Sequence, residues 1–359
     1  MLPQTKSPYL KPYPFEFRGS GGEFFKIWIV NVLLTVITLG IYSAWAKVRT
    51  TRYFYGNTLL NESSFEYLAN PIAILKGRLI AVALFIAYSY LSGISPIAGG
   101  VLILLFFAAT PYIAVRAMRF NHRMSAYKNI RFNFEGSVGS AAMVYLVWPL
   151  LGVLSLGLLY PISHQRFVKF YVSNTSYGQE PFTSTAKVGQ FYSIYMALFA
   201  VAIAVFAAVV VGSQMLGGDS LGGMSGDMTP EQVQAAMLPM ILALYAASLF
   251  LWFILLVLIK SKFTNLIMNT MRVGGGFYFE SRLTVGRVAW ILFSNLILII
   301  CTVGLAYPWA KVRLANYRAE HTELTTLESL DEFLGQVVDE TSAVGEEIGE
   351  IFDIETAAV

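Results

Sequence analysis

Two amides and one thrice-used basic motif carry most of the chemical potential of this chain. Asn31 and Asn295 lie in long apolar runs at matching places, 264 positions apart. A carboxamide in such a run either hydrogen-bonds a neighbouring helix or contacts a ligand, so both are candidate ligand-binding residues. The segments Tyr42-Ser-Ala-Trp-Ala-Lys-Val-Arg49 and Tyr307-Pro-Trp-Ala-Lys-Val-Arg313 join aromatic rings to cations, and Tyr160-Pro-Ile-Ser-His-Gln-Arg166 is a weaker relative. An indole at headgroup level, with Lys or Arg reaching past it to water, anchors a membrane exit. The same cations can bind the phosphates of anionic lipid. The candidates for that role are Trp45, Lys47, Arg49, Arg166, Trp309, Lys311 and Arg313.

Other reactive side chains do not assemble into a motif. His122, His164 and His321 fall in basic segments without metal-ligand spacing. Met215, Met224, Met228 and Met237, with Asp219 and Asp227, surround a glycine-rich loop; thioethers suit Cu(I), but a flexible loop is the simpler reading. There is no nucleophile elbow, phosphate-binding glycine loop or zinc-binding helix motif. No Asp, Glu, Lys or Arg lies deep in an apolar run, which argues against a proton relay. The expectation is no enzyme, no cofactor and no metal. Membrane position accounts for the basic stretches without nucleic acid.

Composition sets the class. The 359 residues are 56% hydrophobic and 13% charged, and mean hydropathy is +0.60. Soluble domains are about 25% charged. Apolar runs at 27–46, 79–93, 94–115, 138–163, 191–215, 235–259 and 288–310 approach or exceed the ~20 residues that cross a bilayer. Residues 1–23 are polar and proline-rich, so the first apolar run is expected to serve as the insertion signal. The only cysteine is Cys301.

Internal similarity organises these runs. A shift of 117 places Phe15-Glu-Phe17 on Phe132-Asn-Phe134, Gly40 on Gly157 and Asn57-Thr58 on Asn174-Thr175. A shift of 264 places Trp45–Arg49 on Trp309–Arg313. The predicted units are 1–131, 132–275 and a partial 276–318, holding three, three and one membrane segments, followed by a tail at 319–359. Alternation over 57–67, with Asn61-Glu-Ser-Ser64 turning, predicts a β-hairpin. Copies are expected at 174–182 and 269–277, and a shortened one near 129–134. The expected fold is therefore an all-α polytopic membrane protein of about seven segments, with small β-hairpins at its cytoplasmic face.

Charge sets the expected topology. Every Lys and Arg stands at or before Arg318, 25 of them against 10 acids, and residues 319–359 carry 12 acids and no Lys or Arg. The loops near 93–96 and 213–234 have no Lys or Arg, so they are expected outside and the basic loops and tail in the cytoplasm. Segments 27–46, 138–163 and 288–310 have basic residues on both flanks. Either they span and leave one flank outside, or they turn back within the membrane. Thr38-Leu-Gly40, Gly157 and Thr302-Val-Gly304 favour turning back.

The pattern Thr-Leu-Gly-Ile-Tyr-x-x-Trp-Ala-Lys-x-Arg, with the Arg-Tyr and Asn-Thr that follow, resembles the YjgN-like family of bacterial inner-membrane proteins, domain of unknown function 898. The resemblance covers roughly 14–318 and is weakest at Ile162-Ser-His-Gln165. It implies an inner-membrane location and brings no activity. Two functions follow as expectations. One is binding or passage of a small solute or lipid between repeats. The other is a non-transporting scaffold whose acidic tail, with apolar residues at helical spacing, recruits a protein partner.

Overall fold

The computed structural model describes residues 11–216, 230–274 and 276–326. Most of the Met-rich loop and the acidic sequence after 326 lie outside them. Short runs of alternating aromatic and polar residues form strands β1 (Lys11–Phe17), β2 (Thr58–Leu60), β3 (Ser63–Tyr67), β4 (Ser125–Tyr127), β5 (Ile130–Phe134), β6 (Thr175–Tyr177), β7 (Glu180–Ser184), β8 (Met271–Val273), β9 (Phe277–Ser281) and β10 (Thr322–Thr326). They close into one antiparallel barrel, in the order β1-β10-β9-β8-β7-β6-β5-β4-β3-β2. The turns between β2 and β3 and between β4 and β5 are two residues long. Asn61, Glu62, Lys128 and Asn129 all have positive φ there, the backbone whose twist matches paired strands.

The helices join the strands pairwise. They are α1 (Gly21–Ile37), α2 (Ser43–Gly56), α3 (Pro71–Ile94), α4 (Pro96–Arg123), α5 (Val138–Ala142), α6 (Trp148–Leu154), α7 (Tyr160–Ser173), α8 (Val188–Leu216), α9 (Pro230–Leu258), α10 (Thr264–Thr270), α11 (Val285–Cys301) and α12 (Tyr307–Glu320). A π-helical turn at Met143–Val147 joins α5 to α6, and another at Ile259–Phe263 joins α9 to α10. Each odd strand hands the chain to a helix that leaves the barrel, and each even strand receives one that returns. Five helical hairpins result. They touch around a ring, α2 on α3, α4 on α5, α7 on α8, α9 on α11 and α12 on α1. All of them attach at one rim of the barrel. The tight turns, with Lys11 paired to Thr326, form the other rim.

The all-α expectation with about seven membrane segments and small separate hairpins is thereby corrected. The hairpins are parts of one closed barrel. Among the described residues only four helices are long and apolar enough to cross a membrane: Pro71–Ile94, Pro96–Arg123, Val188–Gly212 and Met240–Thr270. Segments 27–46, 138–163 and 288–310 count as single runs by hydropathy, yet each is a helical hairpin. Their outgoing arms α1 and α11 have 17 residues and their return arms α2, α7 and α12 have 14. An arm of that length is about 25 Å long, well short of the ~40–45 Å of a whole bilayer.

One chemical device makes all three turns. Thr38 Oγ1 donates to the Leu34 carbonyl at 2.7 Å and accepts from the Tyr42 amide at 2.9 Å, so one hydroxyl ends α1 and starts α2. Ser155 does the same between Gly152 and Leu159, and Thr302 between Leu298 and Ala306. The next residue, Leu39, Leu156 or Val303, takes a left-handed φ of 49°, 54° or 49°, and the glycine after it takes about 90°. Those three apolar side chains are 94%, 95% and 92% exposed. Bare apolar tips whose backbone N–H groups are all bonded within the turn suit a lipid environment.

Thr302→Val keeps the shape of the turn residue but removes both hydrogen bonds. It should lower stability by about 1–3 kcal/mol, read as a lowered melting temperature in detergent. Thr302→Ser, the chemistry already present at position 155, should restore it.

Candidate functional site: a phenylalanine girdle between two chambers

Two-residue periodicity turns alternate strand residues into the barrel. Each odd strand sends one phenylalanine inward, two residues before the end at the helix rim: Phe15, Phe65, Phe132, Phe182 and Phe279. Register sets each against an inward residue of the next even strand. The pairs are Phe15 with Leu60, Phe65 with Tyr127, Phe132 with Tyr177, Phe182 with Val273 and Phe279 with Leu324. The rings form an unbroken circuit. Phe15 contacts Phe65 and Phe279 at centroid distances of 6.2 and 6.5 Å. Phe65 meets Tyr127 at 4.8 Å, Tyr127 meets Tyr177 at 6.3 Å, and Tyr177 meets Phe132 at 5.1 Å. Phe182 closes the circle to Phe132 at 6.3 Å and to Phe279 at 6.4 Å.

The girdle separates two cavities that share Phe15, Phe65, Phe132, Phe182 and Met271. Toward the tight turns is a chamber of about 270 Å³, walled by apolar and aromatic side chains. Its tyrosines are satisfied. Tyr127 donates to the Leu60 carbonyl at 2.6 Å and Tyr177 to the Tyr127 carbonyl at 2.8 Å. Burial pushes the Tyr177 phenol well above its ordinary pKa, so it stays a neutral donor. Toward the helices is a chamber of about 490 Å³, bounded by the ends of α2, α4 and α7 through Phe54, Tyr55, Asn121, His122, Tyr171 and Val172. His122 Nδ1 lies 2.8 Å from the Met118 carbonyl and therefore carries the hydrogen. Its Nε2 lies 3.2 Å from Thr175 Oγ1. Among the described residues, no Asp, Glu, Lys or Arg lines either chamber.

The rim under the girdle is held by polar side chains of the returning helices. Arg52 donates to the Tyr67 and Ala69 carbonyls at 3.1 Å each, Arg119 to Phe134 at 3.3 Å, Gln165 to Ala186 at 3.0 Å and Asn265 to Leu283 at 2.8 Å. Each clamp ties the helix entering a strand pair to the chain leaving it. Further out is a collar of cations. Arg49, Arg116, Arg166, Lys262 and Arg313 each stand nine residues before the strand that follows, about 13 Å along the helix.

The structure distributes the sequence candidates over several hairpins. Asn31 donates to the Ala46 carbonyl at 3.4 Å and faces Thr50 Oγ1 at 3.5 Å. Asn295 donates to the Ala310 carbonyl at 3.1 Å, and its oxygen lies 3.4 Å from Arg313 Nη1. Both amides therefore tie the two arms of a short hairpin, and the structure does not bring them together. Arg49 donates to the Tyr42 hydroxyl, and Tyr42 stacks on Trp45. Arg166 lies over the Trp148 ring and Lys311 over Tyr307 and Phe54. Trp309 packs against Phe25 of α1 at 5.2 Å, and a Cβ on Gly21 would strike its indole at 2.2 Å. Lys47 is exposed. Sequence reasoning missed all five girdle phenylalanines as site residues, and Arg116 and Lys262 as collar members. The usable signals were a phenylalanine two residues before each helix-rim strand end and a cation nine residues before each short strand.

Apolar hairpins hung from one rim of a closed β-barrel define an integral membrane protein with a compact extramembrane crown. Within that class, the chain belongs to the family described as bacterial protein of unknown function (DUF898), whose model matches residues 12–351. The inner membrane protein YjgN of Salmonella typhimurium is 25% identical, with 88% of this chain and 89% of the relative aligned. The YjgN protein of Escherichia coli K12 is 27% identical over 87% of this chain and 88% of its own length. No solved structure matches.

Asn295→Leu should cost about 1 kcal/mol of stability, measured by unfolding in the absence of any added ligand. Unchanged stability with loss of a bound molecule would make the amide a ligand contact instead.

Proposed function

We propose that this is a bacterial inner-membrane protein that takes an apolar chain, the acyl part of a membrane lipid, through the phenylalanine girdle into the barrel. The pair of chambers sharing one girdle, with no ion in the lining, carries this reading. Volumes of about 490 and 270 Å³ are of the size that ligand pockets have. An acyl chain moving from lipid to this lumen exchanges one apolar environment for another, so the hydrophobic gain is small. Van der Waals fit to the rings selects the occupant, and release is as easy as entry. The inner membrane is the location that the names of the relatives carry. The collar supports a cytoplasmic barrel, because Lys and Arg concentrate on the cytoplasmic side of short loops. Equal arm lengths and a shared turn in the three short hairpins support reading the chain as copies of one unit.

A photoreactive fatty acid fed to cells should crosslink to girdle residues, mapped by mass spectrometry. Phe182→Asp should abolish those crosslinks and Phe182→Leu should retain most of them. Crosslinks confined to the outer helix surfaces, or ion conductance through the purified protein in planar bilayers, would sink the reading.

Cys301 tests the placement of the tips. It is exposed and ends α11 beside the turn. A charged, membrane-impermeant maleimide should fail to label it from either face of sealed vesicles and should label it after denaturation in detergent. Labelling from one face would place that tip in water.

A further inference from the structure

The fifth hairpin carries a second polar feature that the girdle does not use. A groove of about 430 Å³ runs along α11 and α12, lined by Arg287, Ile291, Trp309, Val312, Arg313, Asn316, Tyr317 and Glu320. Trp309, Arg313, Asn316 and Glu320 follow helical spacing and so share one face of α12. Trp309 lies at the end nearest the tip and Glu320 at the barrel rim. Arg287 sits in the first turn of α11, at the same rim. Among the described residues, Arg287 and Glu320 take no hydrogen bond or ion pair with protein. The Asn316 side-chain oxygen is buried without a partner. Arg313 Nη1 donates to Ser294 Oγ at 2.8 Å, which leaves its other nitrogens for a ligand; with Arg287 and Glu320 the groove holds two guanidinium groups and one carboxylate, a zwitterionic set of hosts, not a purely cationic one.

We propose that this groove holds the headgroup of a phosphatidylethanolamine lipid. The phosphate lies between Arg313 and Arg287, and the primary ammonium donates to the Glu320 carboxylate. Forked guanidinium donors match phosphate oxygens. A primary ammonium has three hydrogens to give, and the groove offers acceptors where a choline headgroup, with no N–H, could use none. A lipid is favoured over a free phosphate ester because the indole of Trp309 guards the end of the groove nearest the apolar tip, at the level where such rings meet headgroups. This site is separate from the girdle, so its failure would leave the barrel reading intact.

Native mass spectrometry of the full chain, titrated with phosphatidylethanolamine, phosphatidylcholine or phosphatidylglycerol of identical acyl chains, tests it. Phosphatidylethanolamine should be retained best. Glu320→Gln should reduce that preference over phosphatidylcholine by about tenfold, and Arg287→Ala should weaken all three lipids. Melting curves should show both variants folded; Arg287→Lys offers a milder change if the alanine variant is not. Equal retention of the three lipids, or an unchanged preference in Glu320→Gln, overturns the proposal. So does binding of water-soluble phosphoethanolamine without retention of the lipid.

Discussion

Closure of the barrel is the constraint on which everything else rests. Four of the ten strands are three residues long, too short to persist without partners on both sides. Each short strand is held by a tight turn to one neighbour and by register to the other. The last gap is filled only because β1 and β10, from opposite ends of the described chain, pair at Lys11 with Thr326 and at Pro14 with Glu323. Without that pairing, β1 and β10 would be open edges, and the inward phenylalanines would face solvent through the gap. Arg282, whose hydrogen bonds to Glu280 raise its pKa, also lies 3.2 Å from Glu323, a small electrostatic stitch between the end of β9 and β10.

The closed ring in turn dictates how the helices meet the bilayer. Every helical hairpin leaves from and returns to one rim, which keeps the basic residues near its two ends on the same side. The three short hairpins resolve the charge conflict in the only way this geometry permits, by turning back. In their hydroxyl-apolar-glycine turns every backbone N–H of the tip has a partner within the turn. The two long hairpins reach further with the same attachment, so hairpins of both lengths share one ring, the first and fifth, both short, lying side by side.

Much of this was legible in the residues, but in pieces. The membrane class, the sites of the chain reversals, three strand pairs and one strand of a fourth were visible as hydropathy, glycine position and alternation. The turn Asn61-Glu62 is tighter than the four-residue one expected, because positive φ at both residues needs no further length. The barrel itself was not legible. Its interstrand partners are remote in sequence, as Phe65 and Tyr127 are, and nothing local distinguishes a free hairpin from one-fifth of a ring. β10 was hidden for another reason: Thr322–Thr326 lies in the acidic stretch whose composition marks a tail. The amides Asn31 and Asn295 were found readily by their polarity, whereas the girdle was hidden because a phenylalanine in an aromatic-rich strand looks like ordinary core.

The pairing of β1 with β10, the first and last strands among the described residues, has a consequence for biogenesis. A ribosome adding about 5–20 residues per second needs roughly 15–60 s between making β1 and making β10. All five helical hairpins emerge in that interval and can enter the bilayer while the strands above them wait unjoined. Insertion is thus complete before the crown can lock, and the final seam acts as a checkpoint: a polypeptide released early keeps its anchors but never acquires a sealed lumen.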